Sequence, residues 1–390
     1  MSLRFLTAGE SHGPAMTTIL EGLPAGLPLS VEVINRELMR RQQGYGSGPR
    51  MEIESDQAII LSGVLDGKST GAPITLMIEN KDHAAWKGKS IPPMTVPRPG
   101  HADLVGAIKY GYSDLRPSLE RASARETTAR LAVGAICKLL LAQFGVEVGG
   151  YVAAIGKVAA NLEGMPLAAR AEKAESSAVR CPDPAAAKEM EARIEQAIQE
   201  GNTLGGIIEV FGLGLPPGLG SYAQWDRRLD ARLGAAVLSV QAIKGVEIGP
   251  AFEISQLSGT EAQDEIFVQG PNLVRKTNRA GGIEAGITNG QPVLIKAAMK
   301  PIASTLTPQK TVDLVTGEPA QTSYERSDIC PVPRAVPILE AMVAFTLAEA
   351  LLEKLGGDYI DEIKPRFANL RRSSLSDLPM DDEDHVWWPK

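Results

Sequence analysis

A chain of 390 residues, 44% hydrophobic and 22% charged, has the composition of a folded globular protein rather than a disordered or fibrous one. Its length allows two or three domain-sized units, or one large fold built from a duplicated half. The net charge of −7 argues against general nucleic-acid affinity, which rests on a basic surface. Cys137, Cys181 and Cys330 are odd in number and widely spaced, so they indicate neither a disulfide framework nor a zinc site and read as reduced thiols. The opening "MSLRFLTAGE" has no signal-peptide core, and the most apolar stretch, 336–352, is broken by Glu340 and Glu349. The expectation is a cytoplasmic protein with no membrane span and no metal site.

In chain order, the first notable segment is "GESHGP" (9–14), where Glu10, Ser11 and His12 stand between two glycines. It reads either as a polar turn or as a place where backbone approaches a ligand. An alternating strand pattern over 13–22 runs into "GLPAGL" (22–27). A helix follows, with Ser30 as candidate N-cap, and leads through Arg36, Arg40 and Arg41 to the loop "GYGSG" and Arg50. The helix dipole accounts for Arg40 and Arg41 but not for Arg50; guanidinium forks around a glycine loop suit an anionic ligand. In "PRPGH" (97–101), prolines and a glycine hold Arg98 and His101 in a stiff loop, as site residues or as a turn cap. In "ERASARETTAR" (120–130), Ser123 and Glu126 form a capping-box pattern opening a helix over 124–144. Arg121, Ser123 and Arg125 also place two cations and a hydroxyl at the positive end of that helix, a ready phosphate site.

The second half repeats the first. "GLPPGL" (214–219) follows "GLPAGL" by 192 residues, and 282–297 matches 63–78 at an offset of 219, each with a Gly-x-Pro turn and a strand. A second long helix over 337–355 completes the parallel. One domain over 1–390 is expected, with an internal pseudo-repeat (about 1–150 and 203–357), an Ala/Glu-rich helical insert (about 166–200) broken by "CPDP" (181–184), and an acidic tail (375–390). Strands and helices mix without regular βαβ alternation, which favours an α+β layered sandwich.

Within this half, "QAIKG" (241–245) closes an amphipathic helix whose Leu229, Leu233, Val237 and Val240 form a core stripe. Gln241 and Lys244 at its exit are either solvated or part of a site. "KPIAST" (300–305) ends a strand preceded by a hairpin with Gly281, Gly282 and Gly286, explained equally by turns or by a nearby ligand. In "ERSDICPVPR" (325–334), Arg326 and Asp328 flank Ser327, and two prolines lead into a helix with Pro337 near its first turn. Asp328 is a salt-bridge residue or, beside bound anions, a proton acceptor. "GLGLPPGLG" (212–220) lacks the lysine and hydroxyl of a phosphate loop and reads as a turn. "DDEDHVWWPK" (381–390) reads as a solvated or partner-facing tail.

Taken together, "GESHGPAMTTILEGLPAG", "RPGHADL", "SARETTARLAVGA", "QAIKGVEIG" and "ERSDICPVPRAVPILEAM" resemble the signature blocks of the chorismate synthase family, over roughly residues 3–356. The resemblance implies a pseudo-symmetric βαβ sandwich built from two similar halves, usually a homotetramer. It implies a lyase that turns 5-enolpyruvylshikimate 3-phosphate into chorismate and phosphate with reduced FMN, the last step of the shikimate pathway. His12, assisted by Ser11, would protonate the departing phosphate. His101 would sit against the flavin and stabilise its reduced anionic form, and Asp328 would take up the substrate proton with the flavin as relay. Arg41, Arg50, Arg98, Arg125 and Arg326 would hold the substrate anions, so that a chain of net negative charge could still hold a positive cleft. The positions matching the FMN pocket are Arg121, Ala122, Ser123, Gln241, Ala242, Lys244, Gly286, Lys300, Pro301, Ile302, Ala303, Ser304 and Arg326. One departure stands out: Ser47 occupies the loop position where the family often has an arginine associated with substrate and NADPH. An enzyme dependent on an external flavin reductase is therefore expected. The alternatives are a non-catalytic flavin- or phosphate-binding paralogue, which would have lost His12, His101 or Asp328, and an ordinary flavin oxidoreductase, for which no Rossmann fingerprint follows a strand.

Overall fold

The structure, a computed structural model, describes residues 3–47, 55–325 and 327–388. Strands β1 (Arg4–Ala8), β2 (Ala15–Glu21), β3 (Ala58–Ile60) and β4 (Ile74–Glu79) form one antiparallel sheet in the order β1-β2-β4-β3. Strands β5 (Glu147–Ile155), β6 (Val158–Ala159), β7 (Gly206–Leu213), β8 (Ile243–Ile248) and β9 (Val293–Met299) form a second, in the order β8-β9-β7-β5-β6. Without the short β6, the second sheet read from the other end is β5-β7-β9-β8, the same succession as the first. Each sheet shows the two-residue period of a strand with one covered face. Val293, Ile295, Ala297 and Met299 of β9 point into the core, as do Met16, Thr18 and Leu20 of β2.

The main helices are α1 (Val31–Gln42), α2 (Asp103–Tyr110), α3 (Arg116–Ala122), α4 (Thr127–Ala142), α5 (Leu167–Glu175), α6 (Pro184–Gln199), α7 (Leu229–Leu238) and α8 (Val332–Leu355). They extend the internal correspondence: α1 follows β2 as α7 follows β7, and each sheet's pattern ends in a long helix, α4 or α8. These two helices lie between the sheets, α4 on the first and α8 on the second, packed against each other. A helix covered on every side has to be apolar on every side. The sequence of α8 meets that demand, with 89% of its most apolar window buried, as befits a core helix. The Leu229, Leu233, Val237 and Val240 stripe is buried as expected.

The helix contact is closest at Gly134, where a Cβ would lie 2.1 Å from the Ala341 Cβ and 2.4 Å from its Cα. Beside it, the buried carboxylate of Glu340 accepts from Arg40 Nη1 at 2.8 Å and Lys138 Nζ at 2.5 Å, joining α1, α4 and α8. Burial opposes ionisation of Glu340, but the Lys138 and Arg40 charges outweigh it and bring its pKa to about 2.

Several local features differ from the sequence reading. Helix α8 starts at Val332, so Pro337 lies inside it. Proline has no N–H to offer the carbonyl four residues back; Arg180 Nη1 donates to that Pro333 oxygen instead, at 2.8 Å, and to the Gln43 oxygen at 3.1 Å. Ser30 precedes α1 without a side-chain capping bond. Ser123 caps a 3-10 turn over Ala124–Glu126 by accepting from Arg125 N, while Glu126 bonds Thr7 Oγ1 and Arg130 rather than closing a capping box. The helical insert is α5 and α6, with Asp183 capping the latter. It emerges between β5 and β7, so it interrupts the second sheet rather than separating the halves.

Gly134→Ala tests the helix contact. The added methyl group is expected to lower unfolding stability by about 1–3 kcal/mol, although alanine favours a helix interior over glycine by about 1 kcal/mol. Denaturant unfolding measures the net effect.

Candidate active site

A cavity of about 670 Å³ opens where α4 and α8 begin, within the size range of small-molecule sites. Its walls come from both halves: the 9–14 loop, the 97–103 loop, the start of the α4 segment, the 241–242 turn, the 300–304 segment and the entry to α8. The 9–14 loop joins β1 to β2 and is held tightly. Gly9 has φ +112°, and a Cβ there would lie 2.4 Å from the Ala15 oxygen, so only glycine fits. Asn80 Nδ2 donates to the Glu10 and Gly13 oxygens at 3.0 and 2.8 Å.

His12 is largely buried, its ring tilted by 37° against that of Trp86 with centroids 4.2 Å apart. Its Nδ1 lies 2.7 Å from Glu120 Oε1, and its backbone N donates to Glu120 Oε2 at 2.8 Å. Burial disfavours the Glu120 charge, but these hydrogen bonds and the Arg116 charge lower its pKa below the ordinary carboxylate value. Buried Ser11 accepts from Ser123 Oγ at 3.0 Å, linking the loop to the start of α4.

The second histidine is held in a similar way. His101 Nδ1 lies 2.6 Å from Asp103 Oδ1, and Asp103 also accepts from Arg98 Nε at 2.8 Å and Nη2 at 2.9 Å. Burial works against the Asp103 charge, yet the His101 and Arg98 hydrogen bonds hold its pKa far below the usual range. Arg98 Nη1 reaches Ser304 Oγ at 3.2 Å, and Lys300 Nζ donates to the Gly100 oxygen at 3.0 Å, so this cluster is braced by the other half.

A third group surrounds Asp56, whose buried carboxylate lies 3.5 Å from Arg41 Nη1 and 2.5 Å from Arg125 Nη1. Arg125 also donates to Asn80 Oδ1 at 2.7 Å and the Glu79 oxygen at 3.1 Å. Asp328 is paired with Arg334 Nη1 at 2.5 Å, and Arg334 Nε donates to the Arg41 oxygen at 2.9 Å. Burial, then the Arg334 charge, lowers the pKa of Arg41 to about 9 against the pull of Asp56. Such crowding of cations is relieved by a bound anion.

A sequence profile described as chorismate synthase matches residues 3–352. The chain belongs to the chorismate synthase family. The chorismate synthase of Aquifex aeolicus is 52% identical over 385 residues, covering 94% of this chain and 96% of its own. That of Desulforudis audaxviator is 52% identical over 371 residues, covering 93% and 95%. A crystal structure of chorismate synthase superposes with a TM-score of 0.78 at 45% identity, covering 95% of this chain and 97% of that one. The family's members are flavin-dependent lyases, and its reaction is elimination of phosphate from 5-enolpyruvylshikimate 3-phosphate to give chorismate.

Of the residues singled out by resemblance to chorismate synthase, Ser11, His12, Arg41, Arg98, His101, Ala122, Ser123, Arg125, Gln241, Ala242, Lys300, Ile302, Ala303, Ser304 and Asp328 line this one cavity. Pro301 sits between two lining residues without lining it itself. Arg121, Lys244 and Gly286 are not brought to the cavity. Arg121 donates to Thr7 and Gly9 oxygens, Lys244 is an exposed strand residue, and Gly286 packs against Arg228 with its oxygen accepting from Leu229 N. Arg50 and Arg326 lie outside the described residues. The sequence reading missed Asp56, Asp82, Trp86, Asp103, Glu120, Tyr324 and Arg334. Of these, Asp103, Glu120 and Arg334 lie inside quoted motifs without having been singled out, and Asp103, two residues after His101, carried the clearest local signal.

Removing Asp56 leaves two buried guanidinium groups without their shared counter-charge. Asp56→Ala is expected to cost about 3–5 kcal/mol of stability, read by denaturant unfolding. Added inorganic phosphate should recover part of the loss, and more than it stabilises the parent protein.

Proposed function

We propose that this cavity holds reduced FMN and 5-enolpyruvylshikimate 3-phosphate together, and that its residues divide the work of an anti 1,4-elimination. The observation that carries this reading is the meeting, in one cavity, of two carboxylate-held histidines with a cluster of buried guanidinium groups. In the reaction the C6–H electron pair becomes a ring double bond, the existing double bond shifts, and the C3–O bond breaks with its electrons leaving on phosphate. His12 gives a proton to the departing phosphate, with Ser11 orienting it. Arg41, Arg98 and Arg125, joined by Arg50 and Arg326, neutralise the substrate's carboxylates and phosphate. Arg334 adds to that field from beside Asp328. Asp328 is the final acceptor of the C6 proton.

The residues present fit a flavin. Gln241 Oε1 is buried with no hydrogen-bond partner among the described residues, and the N–H of a flavin ring imide is a suitable donor. Ala122, Ala124, Ala242 and Ala303 leave the walls shallow enough for a flat ring, and Lys300 and Ser304 offer polar ends. The reduced flavin, when bound, would supply an electron-rich ring to the elimination. His101, clasped by Arg98 and Asp103, would be among the residues that hold it. Arg121, Lys244 and Gly286 are kept in the FMN set by resemblance alone.

Ser47 Oγ donates to the Gly44 oxygen at 2.5 Å, turned onto its own loop, where a longer cationic side chain would reach outward. This supports an enzyme that relies on an external flavin reductase. We further read it as a cytoplasmic homotetramer of single-domain chains.

Anaerobic mixing with dithionite-reduced FMN and substrate is expected to release phosphate and chorismate in equal amounts, and neither with oxidised FMN. His12→Ala should slow turnover by about 100-fold or more with flavin binding retained; normal turnover removes His12 from the mechanism. Asp328→Asn should bind substrate yet stall at proton removal, whereas full activity would leave Asp328 as a salt-bridge residue only. NADPH alone is expected not to bleach FMN bound to this protein, and bleaching would overturn the dependence on a separate reductase.

A further inference from the structure

Glu120 spends both carboxylate oxygens on a single residue. Oε2 accepts from the backbone N of His12 at 2.8 Å and Oε1 meets Nδ1 at 2.7 Å, while the Glu120 backbone oxygen accepts from Ser11 N at 3.2 Å. Among the described residues the other ring nitrogen makes no hydrogen bond: Asp82 Oδ2, which pairs with it by charge, lies 4.0 Å from Nε2, beyond hydrogen-bond range. Other polar neighbours among the described residues include His83, whose Nδ1 meets the His12 oxygen at 2.9 Å, and Arg116, whose guanidinium lies over Trp86, the ring tilted against His12.

We propose that Glu120 is a positioning residue for the elimination, holding the proton of His12 on Nδ1 so that Nε2 is the atom that serves the departing phosphate. This rests on the reading of His12 as the acid. The proton count closes. The doubly protonated ring gives its Nε2 proton to the phosphate oxygen as the C3–O bond breaks, and the Nδ1 proton stays in its bond to Glu120. The neutral ring left behind is in the tautomer that takes its next proton, from solvent, at Nε2. The same clamp fixes the ring plane, because a residue held at both its backbone N and its ring cannot swing away on its loop.

An amide in place of the carboxylate makes the idea sharply testable. A backbone N–H is always a donor, so the oxygen of a glutamine at position 120 has to face His12 N. Its NH2 group then faces Nδ1, which can only accept, and the ring proton moves to Nε2. Glu120→Gln is therefore expected to lower kcat by about 100-fold or more, with KM and flavin affinity changed less than about 3-fold, as for loss of an interaction made only in the transition state. Nitrogen-15 NMR of labelled histidine, at a pH where the ring is neutral, should show the His12 proton on Nε2 in the variant and on Nδ1 in the parent. Glu120→Asp, which keeps the carboxylate, should restore the Nδ1 signature and part of kcat. The double variant with His12→Ala should be no slower than His12→Ala alone.

A Glu120→Gln enzyme with parental kcat, or an unchanged His12 tautomer, would overturn the proposal. So would a loss of activity matched by loss of thermal stability and flavin binding, or additive losses in the double variant, since each marks a merely structural role. The two readings fail differently. An active His12→Ala enzyme sinks both, whereas an inactive His12→Ala beside an active Glu120→Gln sinks only the role of Glu120.

Discussion

At Gly134 the long helix of the first half approaches Ala341 of its counterpart so closely that a methyl group has no room between them. That contact sets the thickness of the helical layer and, through it, the separation of the two sheets. The neighbouring Glu340 fixes the same crossing by electrostatics, since its buried charge persists only while Arg40 and Lys138 face it. With the two helices so placed, their starting segments come together: residues 122–125 on one side and 327–334 on the other border a single cavity. Helix N-termini carry partial positive charge, so the duplication concentrates at one place what each half would offer weakly alone.

On the proposed reading, the electrostatics of the cavity would let a protein of net charge −7 accommodate a substrate with two carboxylates and a phosphate. Acidic residues near the site act as struts. Asp56 ties Arg41 to Arg125, Asp103 ties Arg98 to His101, Glu120 grips His12, and Asp328 meets Arg334. Each fixes the direction of a guanidinium or imidazole group at the cavity, and in the proposed reaction this would reduce the reorganisation left for the chemical step. Asp56 and Asp103 are buried and Glu120 and Asp328 only slightly exposed, so they neutralise part of the positive charge while opening little negative surface to an approaching anion.

Much of this was legible in the chain. The repeated "GLPAGL" and "GLPPGL" turns follow strands that occupy equivalent positions in the two sheets, and the buried faces follow the two-residue period of the sequence. Residues lining the cavity were readable where glycine and proline mark a stiff loop, as in 9–14 and 97–101. The struts were not, for a geometric reason. Glu120 is 108 residues from His12, and Asp56 is 69 from Arg125, so nothing local distinguishes them from solvated surface acids. Gly286 shows another limit, a glycine that close packing on Arg228 requires at its positive φ, which the sequence could not distinguish from a glycine kept for a ligand. The capping box failed because Glu126 found stronger partners in Thr7 and Arg130 than the turn could offer.

Arg180 sits in the left-handed region at φ +50°, an uncomfortable setting for a side chain with a Cβ. Its guanidinium donates to carbonyls from the end of α1 and from the proline-interrupted turn of α8, 137 and 153 residues away in sequence. The helical insert that carries it is therefore more than a decoration on a symmetric scaffold. It supplies the donor that Pro337 withholds, so neither long-range helix end is chemically complete until the insert has docked. A chain lacking the insert would leave the Pro333 carbonyl without its Arg180 donor inside the most apolar helix. The two halves are therefore not interchangeable modules, because the least symmetric part of the chain completes the hydrogen bonding of both.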